Sequence, residues 1–343
     1  MSFWWGRDSL MDSLYRWIAV FLLASLLAPS LAAQEDRASL LEREKALEAK
    51  FKELAGEHSL SDGRAQQALR EHADVLFLLT EYKEALKRYE TLQKAEFRSL
   101  PRDSETHVTT GLSIAQCHAV MGKDRKAKRA IKTLKKYCQK NFGRADRLRV
   151  VHNIAVNLHG MKLYEDAAET YQELQKSYEE SDGPDHLNTL YAALGYTASL
   201  IELDRGEEIE KVAQEALERF EKHHPDDSGN YYFRNNISAY YVQCGRFQEA
   251  YEVLEPVIDK LDDQASLDFD FKLVMRENYV IALAAIDQQA KALPLIEEII
   301  TDLKKNPLRN REKIASLEEL RDECKGIKPK GEVAPEQPET EGS

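Results

Sequence analysis

The sequence predicts an all-α protein built as a stack of about six helix hairpins, and three observations carry that prediction. The first is a recurring phrase. "YEDAAETYQEL" (Tyr164 to Leu174) sets Tyr164, Ala167, Tyr171 and Leu174 on one helical stripe, and "YKEALKRYETL" (Tyr82 to Leu92) and "FQEAYEVLEPV" (Phe247 to Val257) repeat it. The second is a period. Ala85, Ala127, Ala167, Ala213, Ala250 and Ala292 are followed four positions later by Tyr89, Ile131, Tyr171, Leu217, Leu254 and Ile296. Seven positions after each stands Leu92, Leu134, Leu174, Phe220, Val257 or Ile299, and the anchors are spaced by 42, 40, 46, 37 and 42 residues. Periods of about 20 to 50 residues mark repeat architectures. The third is the near-absence of alternating β-branched runs bounded by tight turns, which leaves little to build strands from.

Taken in order, the chain opens with Arg16 ahead of "WIAVFLLASLLA", then Pro29 and the small-residue site Ser30-Leu31-Ala32. Residues 1–32 are expected to be a signal peptide cut after Ala32 or Ala33, with Met11 a second candidate start; the apolar run is short for a membrane span. An uncleaved N-terminal anchor is the alternative. Residues 33–60 form a charged amphipathic helix with Leu40, Leu47, Phe51 and Leu54 on one side, expected to cap the first repeat. "SLSDGR" ends it, and Asp62 is placed to cap the next helix.

Residues 65–306 carry the six hairpins. Twelve positions before an anchor come Ala73, Ala115, Ala155, Ser238 and Val280, small or medium residues inside a first helix. Small residues facing one another let two antiparallel helices approach closely, and the large residues at four and seven then pack on the next pair. One hairpin cannot cover its own apolar surface, so neighbours must stack. Polar turns such as "MGKDRKA", "GMKLYEDA" and "CGRFQEA" join the helices, with Gly122 and Gly245 suited to the left-handed conformation that ends a helix. In the fourth unit the first helix reads as overlong, ending near "ELDRGEE" (Glu202 to Glu208). Residues 307–326 form a C-terminal capping helix with Ile314, Leu317 and Leu320, and residues 327–343 read as a disordered acidic tail.

At 343 residues, 43% hydrophobic and 31% charged, the chain is long enough for a continuous core, and its net charge of −12 argues against nucleic acid or an anionic membrane as partner. "KDRKAKRAIKTLKK" (Lys123 to Lys136) is a basic exception, read as a solvated helix face. The four cysteines do not form a framework. Cys117 and Cys138 share a hairpin but stand about 16 Å apart along it, and Cys117 and Cys244 are expected in the core. No HExxH, nucleophile elbow or phosphate-binding glycine loop occurs. His152 and His159 are two turns apart, about 10.5 Å, and "HHPDD" (His223 to Asp227) reads as a helix stop. No catalytic residue, metal or cofactor is expected.

The unit resembles the tetratricopeptide repeat (TPR), in which a small residue of the first helix faces an alanine of the second. The period exceeds that family's usual ~34 and looks more like the longer kinesin-light-chain variety, here of an exported bacterial type. "GPDHLNTLYAALG" (Gly183 to Gly195) is similar to that variety's linker and first helix, and "HNIA", "NNIS" and "ENYV" sit where its Asn-Leu-Ala sequence sits. The tryptophan often found early in such repeats is missing. The resemblance implies a right-handed α-solenoid whose first helices line a concave groove holding an extended peptide, with asparagines gripping its backbone. On this chain that role falls to Asn153, Asn236 and Asn278, flanked by Arg149, His152, His159, Tyr232, Asn235 and Glu277, with Tyr196 joining from the fourth unit. An amide carries both donor and acceptor and so pairs with any peptide group; as an alternative, these residues make a merely solvated inner wall.

The expectation is a non-catalytic exported scaffold, periplasmic or extracellular, that binds a protein or peptide partner and meets a membrane only through an uncleaved N-terminus. Two alternatives are a membrane-tethered envelope assembly factor and a helical enzyme whose site the sequence conceals. Oligomeric state is left open.

Overall fold

The computed structural model describes residues 37–307 and 310–326, so the expected signal peptide and acidic tail lie outside the described residues. Among the described residues there are fourteen α-helices and no strand. They fall into two compact units, which divide between Pro225 and Asp226.

The first unit holds α1 (Arg37–His58), α2 (Gly63–Leu78), α3 (Tyr82–Ser99), α4 (Thr106–Val120), α5 (Asp124–Asn141), α6 (Arg144–Gly160), α7 (Tyr164–Asp182), α8 (Leu187–Glu202) and α9 (Gly206–His223). Each helix packs on the next, and the first helices of successive hairpins also pack directly, α4 on α6 and α6 on α8. The small residues do what their spacing requires: Ala73 and Ala85, Ala115 and Ala127, and Ala155 and Ala167 are all fully buried. Helix α1 covers the exposed end of the stack, where Leu47 meets Val75 and Leu79 and the buried His72 bonds through Nε2 to Glu44 at 2.9 Å. Asp62 caps α2 by accepting from the Arg64 amide at 2.7 Å.

The second unit holds α10 (Ser228–Gln243), α11 (Phe247–Ile258), α12 (Phe269–Ala285), α13 (Gln289–Leu303) and α14 (Arg311–Cys324). Ala250, Leu254, Val257, Val280, Ile296 and Ile299 form its core, closed at the far end by Ile314 and Leu317 of α14. Here α10 packs directly on α12.

All six hairpin turns share one backbone device. Thr80, Gly122, Lys162, Asp204, Gly245 and Asp287 each take a left-handed φ, between 54° and 71°. The next residue's amide then reaches back to a carbonyl of the last helical turn, as in Lys123 to His118 at 2.9 Å and Arg205 to Leu200 at 3.1 Å. That bond satisfies a carbonyl the helix would otherwise leave unpaired. Only two of the six turns use glycine, which is why two alone were visible in the sequence.

This register corrects the fourth unit. The left-handed residue lies five positions before Ala85, Ala127, Ala167, Ala250 and Ala292, and five after Asp204 is Ile209, not Ala213. With Ile209 as anchor the spacings become 42, 40, 42, 41 and 42. Twelve positions earlier stands the buried Thr197, and Ala213 and Ala216 occupy the places that other units fill with large residues. Volume has been exchanged between neighbouring turns of α9. The first helix of this unit is also of ordinary length: α8 has 16 residues and stops at Glu202. A second correction concerns Cys244, which is exposed because it sits on the turn after α10, whereas Cys117 and Cys138 are buried. Burial pushes both buried thiols up to about 11.

Candidate functional site

In the first three hairpins the position twelve before the anchor points into the stack, so the outward positions of each first helix fall 18, 14, 11 and 7 before it. In α2 these are Gln67, Glu71, Asp74 and Leu78; in α4, Thr109, Ser113, Gln116 and Val120; in α6, Arg149, Asn153, Val156 and Gly160. None of the twelve is buried. Leu78, Val120 and Val156 are large apolar side chains left 58%, 46% and 51% exposed. Scattered exposed aliphatics are ordinary, but Leu78 and Val120 stand at the same height on successive first helices and Val156 one turn away on the next, which makes an apolar patch on a shared face. Amides and hydroxyls of Gln67, Thr109, Ser113, Gln116 and Asn153 occupy other outward positions of the same helices.

The expected site residues of this unit divide. Asn153 is exposed, and its backbone carbonyl accepts from the Asn157 side-chain amide at 2.8 Å. Arg149 is exposed and donates to Glu105 at 2.8 Å and to Asp146 at 3.2 Å. His152 is half-buried, edge-on to the Tyr171 ring at 5.6 Å. His159 pairs through Nδ1 with Ser199 of α8 at 3.2 Å and lies edge-on to Tyr164 at 5.1 Å. Burial pushes both imidazoles below the ordinary 6.5, so each is neutral at physiological pH. Tyr196 is buried; its hydroxyl accepts from Gln172 of α7 at 3.3 Å and donates to Glu208 of α9 at 3.2 Å, which ties three helices together behind the face.

In the second unit the candidates are more engaged with one another. Asn278 donates through Nδ2 to the side-chain oxygen of the buried Asn235 at 3.1 Å, a hydrogen bond between side-chain amides that links the first helices α12 and α10. Asn236 is half-buried, and Tyr232 lies against Phe271 with ring centroids 4.4 Å apart. Glu277 is only 5% exposed and meets Lys313 of α14 at 3.2 Å. Burial raises its carboxyl and the lysine opposes that shift. Tyr196, Asn235 and Glu277 therefore hold helices together in this arrangement and do not present their polar atoms to solvent.

Leu78, Gln116 and Val120 were not among the residues expected from the sequence, although the same register identifies them. Among the described residues no three His, Cys, Asp or Glu side chains converge as metal ligands, and no helix is long and apolar enough to cross a membrane.

No protein-family model and no curated protein matches the chain. Several solved structures are similar to it. BtubC (BKLC) from P. vanneervenii is 13% identical, with 86% of this chain and 96% of that one covered and a TM-score of 0.48. A tetratricopeptide repeat protein from Parabacteroides merdae is 13% identical, covering 90% and 99%, with a TM-score of 0.45. The apo form of RapI is 13% identical, covering 93% and 98%, with a TM-score of 0.45. The fold itself is read from this chain's own helices, which pair small residue against small residue, turn through a left-handed position and stack at a steady period: they are TPR-like helix hairpins in an all-α array.

Proposed function

We propose that the protein is a non-catalytic scaffold that holds an extended segment of a protein partner against the first helices of its hairpins. The observation that supports this best is the outward face shared by three first helices, where Leu78 and Val120 stand in matched register and Val156 one turn away, with Gln67, Gln116 and Asn153 at other outward positions of the same helices. The aliphatic side chains offer seats for apolar partner residues. The amides, carrying donor and acceptor together, suit the backbone between those residues whatever its sequence. Stacked hairpins present such faces as continuous surfaces without needing a closed pocket.

The N-terminal apolar run followed by Ser30-Leu31-Ala32 supports export to the periplasm or the exterior. N-terminal sequencing of the mature protein is expected to begin at Ala33 or Gln34; an intact N-terminus on a membrane fraction would support the tethered alternative.

The binding claim is tested with a triple variant, Gln116→Ala, Asn153→Ala and Val156→Ser, titrated by calorimetry against a partner captured by the wild type. All three side chains are exposed, so the fold is retained. Each lost backbone hydrogen bond removes about 0.5–1.5 kcal/mol, and a tenfold loss in affinity corresponds to about 1.4 kcal/mol. Affinity is expected to fall at least tenfold. Unchanged affinity would remove this face as the binding site.

A further inference from the structure

We propose a second docking surface on the opposite, second-helix side of the first unit, centred on α5 and suited to an acidic protein segment that carries one bulky apolar residue. Helix α5 buries Ala127, Ile131, Leu134 and Cys138. At about 100° per residue, Arg125, Arg129, Lys132, Lys136 and Lys140 project from the side opposite that stripe. All five are exposed, and among the described residues none forms an ion pair with an acid. The flank facing α7 differs: Lys128 meets Asp166 at 2.6 Å and Lys135 meets Glu173 at 2.9 Å. Like charges spaced three and four apart destabilise a helix, so the ridge carries an unfavourable term. In a chain of net charge −12, it is a local reversal of sign.

A cleft runs beside the ridge. It has a volume of about 640 Å³ and lies between α5 and α7 over α6. Leu148, Val151 and Leu174 supply apolar lining, and Lys135, Arg144 and Arg147 supply cations. A concave site with an apolar lining and a few charged groups fits a side chain entering from a peptide. The ridge would then meet carboxylates on either side of it. This combination favours an acidic peptide over the other polyanions. A bilayer is flat and has no use for the cleft, and the ridge exposes no large apolar residue to insert. A phosphate backbone carries no aliphatic side chain to seat against Leu148, Val151 and Leu174.

The probe is a short fluorescein-labelled polyglutamate peptide with one central phenylalanine, followed by anisotropy with the full chain at low and physiological salt. Salt is expected to weaken binding, since exposed charges are screened. Lys132→Glu with Lys136→Glu and Lys140→Glu, all at exposed positions, is expected to lower affinity roughly tenfold or more with helical circular dichroism unchanged. Replacing the phenylalanine by serine is expected to weaken binding to the wild type. It should make little further difference to Arg144→Glu with Arg147→Glu, which alters the cleft. The face variant Gln116→Ala, Asn153→Ala, Val156→Ser is expected to bind this probe like the wild type, which separates the two surfaces. The proposal is overturned if the wild type does not bind the peptide at low salt or if the triple charge reversal binds as well as the wild type. It is also overturned if phosphatidylglycerol vesicles or oligodeoxythymidine bind while the peptide does not.

Discussion

Replacing Gly195 by alanine should destabilise the array, against the ordinary preference of a helix interior for alanine. Gly195 lies inside α8, and a Cβ built on it would stand 2.3 Å from Cε1 and Cζ of Tyr171 and 2.7 Å from Cε2. Carbon atoms pack favourably at about 3.5–4.0 Å, so the ring would have to retreat by more than an ångström. It has little room, because Tyr171 is buried and the His152 ring stands edge-on to it at 5.6 Å. Overpacking of this kind costs about 1–3 kcal/mol, while alanine in place of glycine returns about 0.8–1.0 kcal/mol of helix propensity. The net expectation is a loss of up to about 2 kcal/mol.

The assay is urea unfolding followed by far-UV circular dichroism, with a lowered midpoint at unchanged slope. Two controls fix the cause. Gly56→Ala in α1 meets nothing within 4 Å and should gain stability. In a Tyr171→Leu background, which removes the ring, Gly195→Ala should reverse sign and stabilise by up to about 1 kcal/mol. If Gly195→Ala stabilises the wild-type background as Gly56→Ala does, the close approach of α7 and α8 is refuted.

Three further outcomes follow from the same geometry. Thr80 is a β-branched residue at φ 66°, and left-handed backbone costs such residues about 1–2 kcal/mol; Thr80→Gly should therefore raise the urea midpoint, and a lowered midpoint would contradict the turn geometry. Asn278→Ala leaves the side-chain oxygen of the buried Asn235 without its partner, which should cost about 1–3 kcal/mol, read as faster hydrogen exchange in α10 and α12; unaltered exchange in both helices would count against the amide pair. His152 and His159 have imidazoles held below their ordinary 6.5 by burial. The folded state thus binds protons less readily than the unfolded one, and stability present above pH 6.5 is lost as the pH falls below it. His152→Gln with His159→Gln should flatten thermal stability between pH 7 and pH 5, and an unchanged slope would assign the loss to other groups.

The hairpins were legible because stacking imposes a rule on side-chain size: small where two helices touch, large four and seven positions on. That rule misplaced the fourth unit by one turn. Ile209 takes the small residue's place while Ala213 and Ala216 take the large ones', so total volume is kept and its order is not. Asp204 in place of glycine removed the other cue, since its left-handed φ is a property of the turn and not of the residue type. Cys244 misled for a related reason: one residue past the end of α10 an apolar residue is no longer held against the core. The candidate face was legible only in part. Asn235 and Asn236 are neighbours in sequence, and helix rotation decides which is covered; the structure buries Asn235. Leu78 and Val120 were hidden by their chemistry, because an aliphatic residue beside a wide apolar stripe reads as core until the neighbouring helix is in place.

A partner lying along the first-helix face would be captured there by site-specific photo-crosslinking. A photoreactive amino acid is placed singly at Leu78, Gln116, Val120, Asn153 and Val156, and at the second-helix positions Glu90, Thr133 and Glu169, in the full chain expressed in its own host. Adducts with one partner are expected from the first five positions and none with that same partner from the other three, with partner peptides ordered along the partner's sequence from hairpin to hairpin. Adducts from Glu90, Thr133 and Glu169 with none from the first-helix positions would place the partner on the second helices instead.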